Sequence, residues 1–383
     1  PRLARFEATL KHHFKPRKGI PNLLPHQQRA LNHLQSQKDI LVVPCDKNLG
    51  PAVIERETYI ELMFEDHLNN VNNYRRLTPQ RSNNWVNTMK YRIGAWIERH
   101  KKKFSKSDVK SLKAQLEQNT KPFGHFYGTL KVHKMSDDSP LTSRPIISTP
   151  GSLLYPMACF ADTQLQVVAR AQPSYLKNSY SLKQALMNMD LLHPQRYWLF
   201  TADAISMYTN IPTNIALQTL GAHLQANRNV YNIDTDATIE AINLVMRENV
   251  FTFGDMIFKQ ANGTAMGTPP ACALATIYFA INGENQILRD FADYLRYLKR
   301  FIDDIFGIWR CHPDPATDAI LFQQFIDRLN QCPGLTWKVS PLTNQVEFLD
   351  LTIMLKDGQF TTTLYEKDLN LYLYIGPKLA HPP

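Results

Sequence analysis

Runs of apolar residues come in two spacings along this chain, and the switches between them outline its elements. "ILVVPCDKNLGPAVIE" (40–55) holds two β-rich runs around Asp46, Lys47, Asn48 and Gly50 and reads as a hairpin. Thr58 and Glu61 then have the spacing of a capping box opening a helix. Residues 82–118 show helical periodicity in two stretches, divided by "HKKKFSK" at 100–106, which reads as a solvated basic face. "PFGHFYGTLKVHK" and "SRPIIS", on either side of the turn cluster "MSDDSP", read as paired strands carrying Lys131, Lys134 and Arg144. "GSLLYPMACFADTQLQVVARA" and "YSLKQALMNM" read as helices, and "RYWLFTADA" (196–204) as a core strand ending near Asp203. "FTFGDMIFKQ" (251–260) reads as a tight hairpin turning on Gly254-Asp255. "NGTAMGTPPACALATIYFAI" passes from a glycine-bearing loop into an apolar helix, with Thr268 placed as N-cap and Pro269 as first helical residue. Gly263 and Gly267 strip side chains from that loop, as a backbone needs if something must approach it closely. No internal repeat or low-complexity tract interrupts the pattern.

Composition adds bounds. At 383 residues, 44% hydrophobic and 20% charged, the chain is globular in character and too long for one compact core, so two or three subdomains are expected. A formal net charge of +9 and a pI of about 9.2 fit a polyanionic partner. Five cysteines with no C-x-x-C pair read as free thiols, and Cys311-His312 lacks a second ligand pair at zinc-finger spacing. The longest largely apolar run, "ACALATIYFAI", falls far short of the roughly 18 residues of a membrane span. The sequence begins at Pro1 and ends on "HPP", as a fragment would.

"RFIDDIFGIW" (300–309) poses a sharper question, because it sets Asp303 and Asp304 side by side within an apolar strand. Two adjacent anions in a sheet core repel each other and lose hydration, at a cost of several kcal/mol unless a cation compensates. If these residues sit at the bend of a hairpin, and the strand ending at Asp203 lies beside it, three carboxylates meet at one point. Oxygen ligands of that kind suit Mg²⁺. Two such ions can activate a 3′-hydroxyl and stabilise a leaving pyrophosphate in an in-line phosphoryl transfer.

The order of "FTADAISMY", "GTAMGTPP" and "RFIDDIF" resembles motifs A, B and C of right-hand-palm polymerases, specifically reverse transcriptases. Further blocks, "DKNLGPAVI", "FYGTLKVHK", "RPIIS", "YLKNSYSLKQAL", "MYTNIP", "TAMGTP", "VEFLDLTI" and "YLYIGPKLAHP", resemble those of Penelope-like retroelement reverse transcriptases and run from about residue 40 to the end. The resemblance implies an α+β fold: a fingers–palm core with an antiparallel palm sheet packed on helices, preceded by a basic helical N-terminal extension. On that division residues 1–118 are the extension and part of the fingers, 119–195 the fingers, 196–375 the palm, and 376–383 the start of a thumb. It also implies an RNA-directed DNA polymerase, a nucleotidyltransferase using an RNA template, a DNA primer, dNTPs and two Mg²⁺ ions, with Mn²⁺ as a substitute. Its products would be made in the nucleus, at a target site, with no membrane role. An inactive domesticated nucleic-acid-binding protein and an RNA-dependent RNA polymerase are the alternatives.

Residue by residue, Asp203 and Asp303 would be the main metal ligands, with Asp304 as second member of the pair and the Ala204 carbonyl completing the site. Tyr208 would crowd the sugar 2′ position. Lys131 or Lys134, with Arg144, would face the triphosphate; a guanidinium can fork onto phosphate and stack on a base. Gln260 and the Gly263–Gly267 loop would position template and nucleotide, and Lys338 would protonate pyrophosphate. The chain departs from the family at Phe301, where a tyrosine is usual, and in "MGTPPA", where Pro270 stiffens the loop. Penelope-like proteins often carry a GIY-YIG endonuclease, which no stretch here resembles.

Overall fold

The computed structural model describes residues 23–136, 139–191 and 196–366. The start of the basic extension, the centre of the "MSDDSP" turn, the "YLYIGPKLAHP" block and the expected thumb start lie outside the described residues.

The first hairpin pairs β1 (Ile40–Pro44) with β2 (Pro51–Glu55), and Lys47 at its tip takes a left-handed φ of 61°. β2 runs directly into the helix Arg56–Met63, whose N-cap is Glu55. Thr58 therefore lies inside that helix, and the expected capping box is not used. The Arg56 amide, which donates to Asp39 O at 2.7 Å, ties the helix start to the foot of the hairpin. The two helices of 82–118 appear as Pro79–His100 and Lys106–Glu117, the second opened by a Ser105–Asp108 capping box.

The remaining strands, in chain order, are β3 (Tyr74–Leu77), β4 (Gly124–Leu130), β5 (Ser143–Ser148), β6 (Tyr197–Ala204), β7 (Val250–Phe253), β8 (Met256–Gln260), β9 (Leu295–Phe301), β10 (Asp304–Arg310), β11 (Trp337–Val339), β12 (Gln345–Phe348), β13 (Leu351–Lys356) and β14 (Gln359–Leu364). They form a five-stranded sheet ordered β3-β8-β7-β4-β5, a four-stranded sheet β11-β6-β10-β9 and a three-stranded sheet β12-β13-β14. The β7–β8 hairpin, within the stretch assigned from sequence to the palm, thus pairs with the fingers strands β3 and β4.

The four-stranded sheet is antiparallel throughout and buried on both faces. Phe200, Ala202, Ile305 and Trp309 pack against helices Tyr155–Arg170, Thr213–Ala226, Thr235–Arg247 and Ala271–Phe279. Leu199, Phe306 and Ile308 face the opposite way, onto Val346 and Ile353 of the three-stranded sheet. Double burial explains why β10 is apolar continuously instead of in alternation. Its register has an evident peg. Gly307 sits opposite Phe200, and a Cβ there would lie 2.1 Å from the Phe200 ring. A one-residue slip would turn every side chain to the wrong face, so this contact also fixes what happens three residues further on, where Asp304 meets Asp203.

The apolar helix after the glycine loop begins at Ala271 with Pro270 as N-cap, later than Thr268 and Pro269 predict. A residue preceding proline is driven out of the α region, so Pro269-Pro270 delays the helix. The Thr268 hydroxyl instead donates to Ala265 O at 2.8 Å.

Candidate active site

β9 and β10 close on a two-residue turn, Ile302-Asp303, with Phe301 paired to Asp304. Ile302 has φ 56°, which for a β-branched residue costs about 1–3 kcal/mol and persists only where surroundings impose it. Asp304 lies opposite Asp203, and Asp203 lies opposite Lys338 on its other side. The Ala204 amide donates to Asp303 O at 3.0 Å, locking the turn onto the end of β6. Burial, and then the Asp203 charge, push the Asp303 carboxyl above the usual range, while Arg144 and Lys47 pull the other way.

Among the described residues, no three His, Cys, Asp or Glu side chains are arranged to hold a metal ion by themselves. The three aspartates nevertheless line one cleft, and the rise at Asp303 comes first from its burial and then from the neighbouring Asp203 charge. Mg²⁺ commonly takes only one or two carboxylates and completes its shell with water and substrate phosphates. Asp203 and Asp303, with Asp304 and the Ala204 carbonyl nearby, fit that pattern better than an all-protein cage.

The cleft has a volume of about 600 Å³. One wall is cationic. Lys131, Lys134 and Arg144, singled out from sequence, all line it, as does Lys47. Arg144 donates to Asp46 Oδ2 at 3.2 Å, which aims the guanidinium and leaves it partly exposed. Burial, followed by the charges of Arg144 and Lys134, holds the Lys131 ammonium below the ordinary lysine range. Anions entering the cleft would relieve that crowding. Behind the wall, Ser143 donates through its amide and its hydroxyl to Asp66 Oδ2, both at 2.7 Å. The hydroxyl's one proton being committed to Asp66, the His67 Nε2 at 2.9 Å must donate to Ser143 Oγ. Burial brings His67 down to about 4, so it is neutral at neutral pH. Asp46, Lys47, Asp66, His67 and Ser143 were not assigned roles from sequence. Only the turn-like "DKN" between two β-rich runs signalled the first two.

Tyr208 follows β6 and also lines the cleft. Its hydroxyl is 3.1 Å from Cys272 Sγ, and its carbonyl accepts from the Thr264 amide and hydroxyl at 2.6 and 3.1 Å. Burial, then the Cys272 thiol, raise the Tyr208 hydroxyl, which stays protonated. The glycine loop is pressed between two backbones. At Gly263 (φ 80°) a Cβ would meet the Tyr208 and Thr209 carbonyls at 2.9 Å, and at Gly267 (φ 102°) the Ile147 carbonyl at 2.5 Å. The Ile147 amide donates to Met266 O at 2.7 Å, so this loop continues β5 on its free edge.

Among the sequence-selected residues, Gly267, next to the lining residue Met266, lies outside the cleft lining, as do Gln260 and Lys338. Gln260 does not line the cleft. It is buried, its amide accepting from Asn249 and donating to Asn262 O, each at 2.9 Å. Lys338 borders a separate hollow that it shares with Asp203, Asp304 and Glu347.

Sheet order, helical backing and cleft together give the fingers–palm fold, the fold found in right-hand nucleic-acid polymerases. No protein-family model matches the chain, and no curated protein sequence matches it. Among solved structures it is similar to telomerase from Candida albicans in complex with the TWJ fragment of telomeric RNA, with TM-score 0.57 and 10% identity, covering 90% of this chain and 55% of that one. It is also similar to apo telomerase from Candida tropicalis (TM-score 0.53, 10% identity, 84% of this chain, 55% of that one) and to the same telomerase truncated from its C-terminal domain (0.51, 11%, 84% and 63%). The chain thus spans 55–63% of the length of these neighbours, and at such identities the likeness is one of fold. RNA-dependent RNA polymerases of viruses match at TM-scores of 0.42–0.45, too low to carry an argument. Among the described residues no helix is long and apolar enough to cross a membrane.

Proposed function

We propose that this chain is the fingers–palm portion of an RNA-directed DNA polymerase, a reverse transcriptase of the Penelope-like retroelement kind, which extends a DNA primer on an RNA template from dNTPs. The observation that carries the reading is the placement of Asp203, Asp303 and Asp304 on the floor of a cleft walled by Lys47, Lys131, Lys134 and Arg144. Anions alone would suit a structural cation and cations alone a resting anion. Together they suit a reaction that handles a triphosphate and a metal at once.

Asp203 and Asp303 would hold Mg²⁺, which when bound acidifies the primer 3′-hydroxyl and neutralises charge on the leaving pyrophosphate. Arg144, aimed by Asp46, and the lysines orient the phosphates in line with the primer end. In this scheme the Tyr208 ring, which lines the cleft, would crowd the sugar 2′ position and reject a ribose hydroxyl by collision. Lys338, beside Asp203, serves as proton donor in this scheme only if it reaches round the β6 end. The retroelement setting implies synthesis in the nucleus at a target site.

Primer extension on an RNA template, with dNTPs or rNTPs supplied separately, tests the proposal. Extension with dNTPs supports it, extension confined to rNTPs indicates an RNA polymerase, and template binding without extension indicates an inactive binding protein.

A further inference from the structure

Directly beneath the catalytic turn lies a charged pair that the proposed chemistry does not use. Arg300 and Glu284 are 1% exposed each, and they form a fork, Nε to Oε1 at 2.7 Å and Nη2 to Oε2 at 2.9 Å. Ser174 Oγ donates to Glu284 Oε2 at 2.5 Å. Glu284 is carried inward by the wide helical turn Ala280–Glu284 that follows the helix Ala271–Phe279; such turns are frequent at functional sites. Apolar side chains of similar volume would fill this space at least as stably as a buried ion pair. What they could not do is donate hydrogen bonds. Arg300 Nη1 donates to the Ile302 carbonyl at 2.7 Å, and Nη2, besides its bond to Glu284, donates to the Thr276 carbonyl at 2.8 Å.

We infer that Arg300, oriented by Glu284 and Ser174, is a positioning residue that holds the left-handed Ile302-Asp303 turn in place and couples it to the glycine-loop helix Ala271–Phe279. Ile302 needs such a clasp because its backbone conformation is unfavourable. Thr276 lies one helical turn beyond Cys272, the contact of Tyr208. One guanidinium therefore sets the Asp303 carboxylate and the helix bearing the nucleotide-side contact in mutual register.

The inference rests on the polymerase reading of Asp303, so its test includes measurements that need no turnover. Arg300→Lys keeps the charge and loses the fork. In the folded variant, hydrogen exchange at residues 301–304 and at the Ala204 amide should quicken by about tenfold. Mn²⁺ binding, read from free-ion resonance, should weaken by about fivefold or more, and kcat for single-nucleotide incorporation should fall by about tenfold or more with dNTP KM unchanged. Exchange at the turn no faster than in the parent overturns the inference, as does a change confined to KM. If Arg300→Lys does not fold, Arg300→Met with Glu284→Leu replaces it, leaving no buried charge unpaired. If that pair also fails, Ser174→Ala decides by the same exchange criterion. A parent chain that binds Mn²⁺ but incorporates nothing refutes the polymerase reading while the exchange comparison still judges the clasp.

Discussion

Replacing Gly267 by alanine should loosen the loop that joins the palm to β5. The added Cβ would stand 2.5 Å from the Ile147 carbonyl, so loop and strand must part by about 0.5 Å simply to reach the shortest separation real side chains tolerate. A non-glycine residue held near φ 102° adds about 1–3 kcal/mol of backbone strain. The neighbouring bond from the Ile147 amide to Met266 O is strained by the same displacement, worth about 1 kcal/mol. The sum is about 2–4 kcal/mol of lost stability, which at no more than about 2 °C per kcal/mol for a chain this long lowers Tm by at most about 4–8 °C. Gly254 supplies the control. It too has positive φ, 56°, but an added Cβ meets nothing within 4 Å, so Gly254→Ala should cost only about 1 kcal/mol. Activity should separate them further, because Met266, next to Gly267, lines the cleft and a shift of about 0.5 Å there costs roughly tenfold in incorporation rate, whereas neither residue of the β7–β8 turn lines it. Thermal unfolding and single-nucleotide incorporation measure both quantities. Equal effects of the two alanines would refute the argument that close approach to Ile147 is what requires glycine.

Asp203→Asn and Asp303→Asn should each lower primer extension by about 10³-fold or more while template affinity is retained, which gel-shift and extension assays together resolve. Asp303→Asn should also raise Tm at neutral pH: a carboxyl whose folded pKa is raised contributes stability at low pH that is lost as pH climbs past its ordinary value, and asparagine escapes that loss. A lower Tm at pH 7 would contradict the buried-anion account. Tyr208→Ala should admit rNTPs in competition assays with only a modest loss in dNTP rate, and unchanged discrimination would make Tyr208 a packing residue. Because the Lys131 ammonium is held below the usual range, dNTP affinity should weaken as pH rises through that lowered value. Lys131→Arg, which does not titrate there, should remove that limb of the profile.

The two aspartate-bearing strands were legible because an acidic residue inside a β-branched, aromatic run has few innocent explanations. Their mutual register was not legible, since it depends on the Phe200 ring lying over Gly307, two positions over 100 residues apart. Lys131, Lys134 and Arg144 were found as cations on paired strands and do line the cleft. Lys47 escaped notice because a lysine at a hairpin tip is ordinarily just solvated. Gln260 was misleading for the opposite reason: its position just before the glycine loop was visible, but its partner Asn249, across the β7–β8 hairpin, was not. The misplaced helix starts at Thr58 and Thr268 share one cause. Each local cap competed with a stronger constraint, a strand running straight into the helix in one case and consecutive prolines in the other.

The β7–β8 hairpin has a consequence for how the molecule comes into being. The fingers sheet, order β3-β8-β7-β4-β5, takes two of its three inner strands from residues 250–260, after the chain has already laid down β6 and the helices that follow it. Until then β3 has no neighbour, and the Phe126 ring, stacked at 5.5 Å on Phe251 in the finished sheet, has no lid. During synthesis the first 200 residues therefore emerge with an open strand edge and an uncovered aromatic surface, the ingredients of sticking to other chains. The five-stranded sheet therefore cannot be completed by the first 200 residues alone. Cutting the gene between them for separate expression should yield an aggregating first piece, and the slow step of folding should be the return of this hairpin across a long loop.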